Sequence, residues 1–119
     1  MLRTLVSALA ASAFLVFASS GVAMSHPVIV GTTGPGFDIE VTKGGKDVKT
    51  LPAGTYTLTV KDKAAIHNFH LIGPGISKVV TSVGFVGTKT ITVTLKKGTY
   101  RYQCDPHAAS GMKGSFKVT

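Results

Sequence analysis

Thiol, imidazole and thioether donors stand close together in the run Cys104-Asp105-Pro106-His107-Ala108-Ala109-Ser110-Gly111-Met112. Thiolate and thioether sulfur favour copper, and imidazole suits copper or zinc. Two His, one Cys and a weak, long axial Met make up the set that holds copper in electron-transfer sites. The run supplies three of those four donors, so a second imidazole must come from elsewhere in the chain. His67, in Ala65-Ile66-His67-Asn68-Phe69-His70-Leu71, is the candidate.

The elements that would position these groups are written in period two. Phe37-Asp38-Ile39-Glu40-Val41, Tyr56 to Val60, Ile91 to Leu95 and Tyr100 to Cys104 alternate apolar with polar residues, as half-buried antiparallel strands do. Gly34-Pro35-Gly36, Gly44-Gly45, Pro52-Ala53-Gly54, Gly73-Pro74-Gly75 and Lys96-Lys97-Gly98 separate them with turn chemistry. No long helical period follows the first residues of the chain, and the pattern predicts an all-β, two-sheet sandwich. Strand alternation places His67 with Phe69 and Leu71 on one inward face and Asn68 with His70 on the other. The same rule turns Tyr100, Tyr102 and Cys104 toward the core.

Each donor alone has an ordinary explanation. A single Cys is most often a small buried hydrophobe, a strand His is usually hydrogen-bonded, Met112 alone reads as core, and Asp105-Pro106 alone reads as a turn. Their joint occurrence in ligand order favours a metal. Structural zinc normally takes four Cys or His ligands, so copper accounts for Met112 and zinc does not. Four His and one Cys limit the chain to one mononuclear centre. Because four protein donors can close the coordination shell, electron transfer is favoured over catalysis, which keeps a position open.

Met1 to Ala23 has the form of a secretory signal peptide: Arg3, the mostly apolar run Leu5 to Phe17, and the small residues Ser19 to Ala23. The expected product is an exported, periplasmic or secreted, single domain over residues 24–119, monomeric and without stable membrane insertion after cleavage. A lone cysteine in an oxidising compartment has no intramolecular partner, which again favours metal. The whole chain carries a formal net charge of +8 from 13 Lys and Arg against 5 Asp and Glu. That balance would steer an acidic partner or an anionic surface toward the protein. Scarce Arg and the lack of interleaved aromatics argue against nucleic acid.

His67-Asn68, Cys104-Asp105-Pro106-His107 and Gly111-Met112 resemble the copper-binding segments of the small blue (type 1) copper proteins. These are the plastocyanin-like cupredoxins, which include pseudoazurin and amicyanin. The resemblance runs from about Val28 to Thr119 and is specific in those segments. It implies an antiparallel Greek-key sandwich and one copper ion per chain. His67, Cys104 and His107 would be strong ligands and Met112 the axial one, with Asn68 tying its strand to the Cys104 loop. It also implies a one-electron carrier, not an enzyme, with His107 as the electron port to a redox partner. Pro106, Ala108, Ala109, Pro74 and Ile76 are candidates for an apolar rim around that port.

Copper storage, scavenging or delivery would use the same donors, and a metal-free adhesive sandwich would need none of them. His70 is assigned to the solvated face. Met24-Ser25-His26, if exposed by cleavage, offers an amine, two amides and an imidazole to a square-planar ion.

Overall fold

Alternating patterns become ten strands because each can bury one face against a facing sheet and leave the other in water. The computed structural model describes residues 25–119; the signal peptide expected over Met1 to Ala23, and Met24, lie outside the described residues. The strands are β1 (Val28–Thr33), β2 (Ile39–Lys43), β3 (Lys46–Asp47), β4 (Thr50–Leu51), β5 (Gly54–Asp62), β6 (Phe69–Gly73), β7 (Ile76–Thr81), β8 (Gly87–Leu95), β9 (Gly98–Gln103) and β10 (Lys113–Val118). One sheet has the order β3-β2-β1-β5-β8 and the other β4-β10-β9-β6-β7. The sandwich expected from the sequence is present, with one correction. Each sheet is mixed, since β1 runs parallel to β5 and β4 parallel to β10.

Strand boundaries correct the reading further. β2 starts at Ile39, so Phe37 lies in the β1–β2 loop and is 66% exposed. Gly34 N–H closes that loop on Asp38 O at 2.9 Å, which lifts Phe37 off the alternation. β6 starts at Phe69, leaving His67 and Asn68 ahead of the strand. Ile76 to Lys89, which carries no recognisable motif, forms β7 and the start of β8.

The core is aromatic. Tyr100 stacks on Phe116 at 5.5 Å between centroids, and Phe69 on Tyr102 at 6.0 Å. Glycine makes room for two of these rings. A Cβ on Gly31 would meet Phe69 at 2.7 Å, and one on Gly73 would run into the Tyr100 ring. The Tyr100 ring has little freedom to withdraw, because its hydroxyl accepts from Lys96 N–H at 2.9 Å and donates to Pro74 O at 3.3 Å.

Direction along the strands sorts the loops into two ends. The β1–β2, β5–β6, β7–β8 and β9–β10 connections lie at one end and hold His67, Cys104, His107 and Met112. The β2–β3, β4–β5, β6–β7 and β8–β9 turns lie at the other.

Gly73→Ala should destabilise the protein by about 1–3 kcal/mol through overpacking against a pinned ring. Denaturant midpoints of the two proteins would measure it, and an unchanged midpoint would contradict the close approach.

Candidate metal centre

Antiparallel neighbours bring the beginning of one strand beside the end of the other, and this is how residues far apart in sequence meet. β6 pairs with β9 through His70↔Gln103 and Leu71↔Tyr102. His67, just before β6, therefore lies beside Cys104, just after β9. The β5–β6 loop is folded inward by Asp62 Oδ1 accepting from Ala64 N–H at 3.3 Å and by His67 N–H donating to Ala64 O at 3.2 Å. His67 and Cys104 are both fully buried.

After Cys104 the chain makes a 3-10 helical turn over Asp105–Ser110, with Pro106 in its first turn. Gly111 ends it at φ 100°, a left-handed value that glycine adopts without strain. Met112 N–H then donates to His107 O at 3.2 Å, and Cys104 N–H to Met112 O at 3.1 Å. The loop thus returns Met112 beside Cys104 with its side chain buried, while His107 is half-buried.

Three donor atoms converge. His67 Nδ1 and His107 Nδ1 are 3.0 Å apart, and Cys104 Sγ is 3.6 Å from the first and 3.4 Å from the second. A point near their plane lies about 2 Å from all three, close to the length of bonds from a first-row divalent ion to imidazole and thiolate. Buried polar atoms aimed at one another need a proton or an ion between them. Among the described residues His67 Nε2 is buried with no hydrogen-bond partner, so it is the Nδ1 side of that ring that faces other donors. The donor set, two imidazoles and a thiol beside a buried Met, fits copper.

Asn68 joins the two segments that carry these groups. Its Nδ2 donates to Asp105 Oδ2 at 2.9 Å, and its Oδ1 accepts from Asp105 N–H at 2.7 Å. The tie expected from Asn68 to the Cys104 loop is present, but the expected outward face for Asn68 is not: it is 3% exposed. Its partner Asp105, on the loop that follows the neighbouring strand β9 of the same sheet, decides its position, not strand alternation. His70 does lie on the other face, yet it is not simply solvated. Its Nδ1 is 2.9 Å from Asp105 Oδ1 and its Nε2 2.8 Å from Ser77 Oγ. Burial alone would raise the Asp105 carboxyl. Hydrogen bonds from Gln103, His70 and Asn68 outweigh it and hold the group below the usual carboxylate range.

Two corrections concern the surface of this end. Pro74 and Ile76 belong to the β6–β7 turn at the opposite end, because β6 runs away from His67; they form no rim around His107. The missed residue is Phe37, whose ring packs edge-on with His107 at 4.9 Å and His67 at 5.4 Å between centroids. Ile66, Val83 and Val86, also in loops of this end, are exposed. The Gly-Pro-Gly turn before Phe37 is the only sequence signal that the chain breaks its alternation there.

The family profile described as copper binding proteins, plastocyanin/azurin family, matches residues 11–119. Plastocyanin of Daucus carota is 56% identical over 32 residues, 26% of this chain and 33% of that protein. The match spans about a third of that relative's length. Among solved structures, rusticyanin from Thiobacillus ferrooxidans aligns with TM-score 0.57 and 27% identity, covering 77% of this chain and 76% of that one. Reduced auracyanin from the photosynthetic bacterium Roseiflexus castenholzii aligns with TM-score 0.58 and 25% identity, covering 80% and 98%.

Asn68→Ala removes both bonds to Asp105 and leaves the Asp105 N–H without its acceptor, so it should cost about 1–3 kcal/mol in denaturant unfolding of the apoprotein. It should also speed loss of bound metal to a chelator; retention at the parental rate would show that the pair does not hold the loops. Phe37→Ala should change unfolding by less than about 1 kcal/mol, since most of the ring is in solvent. The ring-proton resonances of His67 and His107 should shift on that substitution while those of the distal turns stay in place.

Proposed function

Because the chain belongs to the plastocyanin/azurin family of copper-binding proteins and so has copper as its cofactor, one ion per chain, we propose that it is an exported one-electron carrier. His67 Nδ1, Cys104 Sγ and His107 Nδ1 are its strong ligands and the Met112 thioether its axial one. The observation that carries this reading is the convergence of those three donor atoms within 4.8 Å of one another.

Copper supplies the Cu(II)/Cu(I) couple, and the residues do the rest. The Cys104 thiolate and the two imidazoles would hold the ion strongly, and the Met112 thioether would add a weak fourth donor. Copper(II) alone favours tetragonal surroundings, so a set held at a compromise geometry limits the movement needed at each electron transfer. Asn68 and Asp105 restrain that set from outside the first layer of ligands, as hydrogen-bonded partners of metal ligands commonly do. With four donors from the protein no coordination position is left for substrate, which supports a carrier and not an enzyme.

His107 is the ligand nearest the surface, and electrons would leave through its ring. Pro106, Ala108, Ala109 and the exposed Phe37 surround it with apolar surface, the setting of weak redox encounters. Export follows from the leader-like Met1 to Ala23, and a redox partner protein would dock at this end.

Titration of the apoprotein with Cu(II), read by visible and paramagnetic resonance spectra, tests the assignment. The parent should saturate at one ion with intense sulfur-to-copper absorption, and Cys104→Ser should abolish the colour. His67→Ala should perturb the spectrum and weaken binding. Met112→Leu should keep the colour and raise the reduction potential by on the order of tens of millivolts, since loss of the thioether disfavours Cu(II). A colourless parental adduct overturns the ligand set. Rapid loss of copper to a chelator on reduction would instead mark a carrier of metal.

A further inference from the structure

Charge is distributed unevenly along the strand axis. In the half that holds the ligand group, Lys61, Lys63, Lys89 and Lys113 stand against Asp38, Glu40, Asp62 and Asp105 and cancel formally, while Lys78 and Arg101 lie near the middle of β7 and β9. At the opposite end the turns carry Lys43 and Lys46 (β2–β3) and Lys96 and Lys97 (β8–β9), with Lys117 near the end of β10; all five are exposed. No acidic residue lies in the four turns of that end; Asp47, on the neighbouring edge, is offset by Lys49. Most of the basic excess of the described residues is therefore a cationic end cap.

The layout of the cap limits what it fits. Lys43 and Lys46 sit at one edge of the first sheet, Lys96 and Lys97 at its other edge, and Lys117 in the second sheet. Charges spread across a whole end suit a broad anionic plane better than a small anion, which needs donors converging on one point. The chain before β1 joins at the same end. β1 is parallel to β5, whose first residue Gly54 pairs with Leu95 beside Lys96, and Thr57 N–H donates to Pro27 O at 2.9 Å. The apolar run Leu5 to Phe17 precedes that junction in the sequence.

We propose that the lysine-bearing end binds the surface of an anionic lipid bilayer, leaving the copper end turned away from it. Each lysine near an anionic leaflet gains from its negative potential within a Debye length, and five on one end act together. An attached molecule of this kind would present His107 and its apolar surroundings to a partner while diffusing along the bilayer. Which end is the copper end rests on the ligand assignment above. Bilayer binding does not, so failure of the copper titration and failure of the binding assay are distinguishable.

The test is co-sedimentation of the copper-loaded full chain with vesicles of phosphatidylglycerol and phosphatidylcholine, against phosphatidylcholine alone. Binding should require the anionic lipid and should fall sharply between about 0.02 M and about 0.5 M salt. Lys96→Glu with Lys97→Glu should weaken it about tenfold or more, whereas Lys61→Glu with Lys63→Glu, the same change in net charge, should weaken it less than about threefold. Lys43→Glu with Lys46→Glu should match the first pair, and an unchanged copper spectrum in each variant would verify the fold. Equal losses from both ends would assign the attraction to net charge and overturn the proposal. Equal binding to neutral vesicles would assign it to the apolar leader and overturn it as well.

Discussion

Two hydrogen bonds between Asn68 and Asp105 hold together the two chain segments on which the donor atoms sit, 37 positions apart in sequence. One imidazole donor is the residue before Asn68, and the thiol donor is the residue before Asp105. The backbone is thus fixed within one residue of each. Asn68 is buried, so loosening the pair strands its amide in a poorly solvated place, where an unmade bond is more costly than a made one is stabilising. Gln103 Nε2 donates to Asp105 Oδ1 at 2.8 Å and His70 flanks the same carboxylate, so the clasp is itself held from β9 and β6. A metal set depends on such outer contacts as much as on its ligands.

The clasp would do little on a soft scaffold. Below it, the stacked pairs Phe69–Tyr102 and Tyr100–Phe116 lie between strands kept close by glycine, and interiors at this density resist small displacements. β6 and β9 are hydrogen-bonded neighbours, which turns that rigidity into a fixed distance between the start of one and the end of the other. The geometry of the site follows from pairing in the sheet, and hydrogen bonds at the rim refine it.

What was legible in the sequence was whatever depends on local pattern or on ligand chemistry. Period two revealed the strands, and Cys104-x-x-His107-x-x-x-x-Met112 with His67 pointed to one copper centre. What was illegible depends on partners distant in the chain. Alternation set Asn68 outward, but Asp105 draws it in. Phe37 continued an apparent strand, but the preceding turn ends the pattern and sets its ring against two imidazoles. Pro74 and Ile76 suit an apolar rim by composition alone. Strand direction, which composition does not encode, sends them to the far end.

Net charge is a single number that does not say where the charges sit. Its placement changes the physics. The charged side chains of the ligand end largely cancel and offer little long-range attraction, so contact there depends on exposed apolar groups such as Phe37, Ile66, Val83 and Val86. Such contacts are weak and short-lived, which suits a carrier that must leave its partner after each electron. The lysines at the other end act on a different scale, since several like charges on one face sum into a field that orients the whole molecule before contact. A charge excess centred on the copper end would attract anions to His107 and compete with apolar docking. Separating the two along the strand axis lets one end respond to charge and the other to shape.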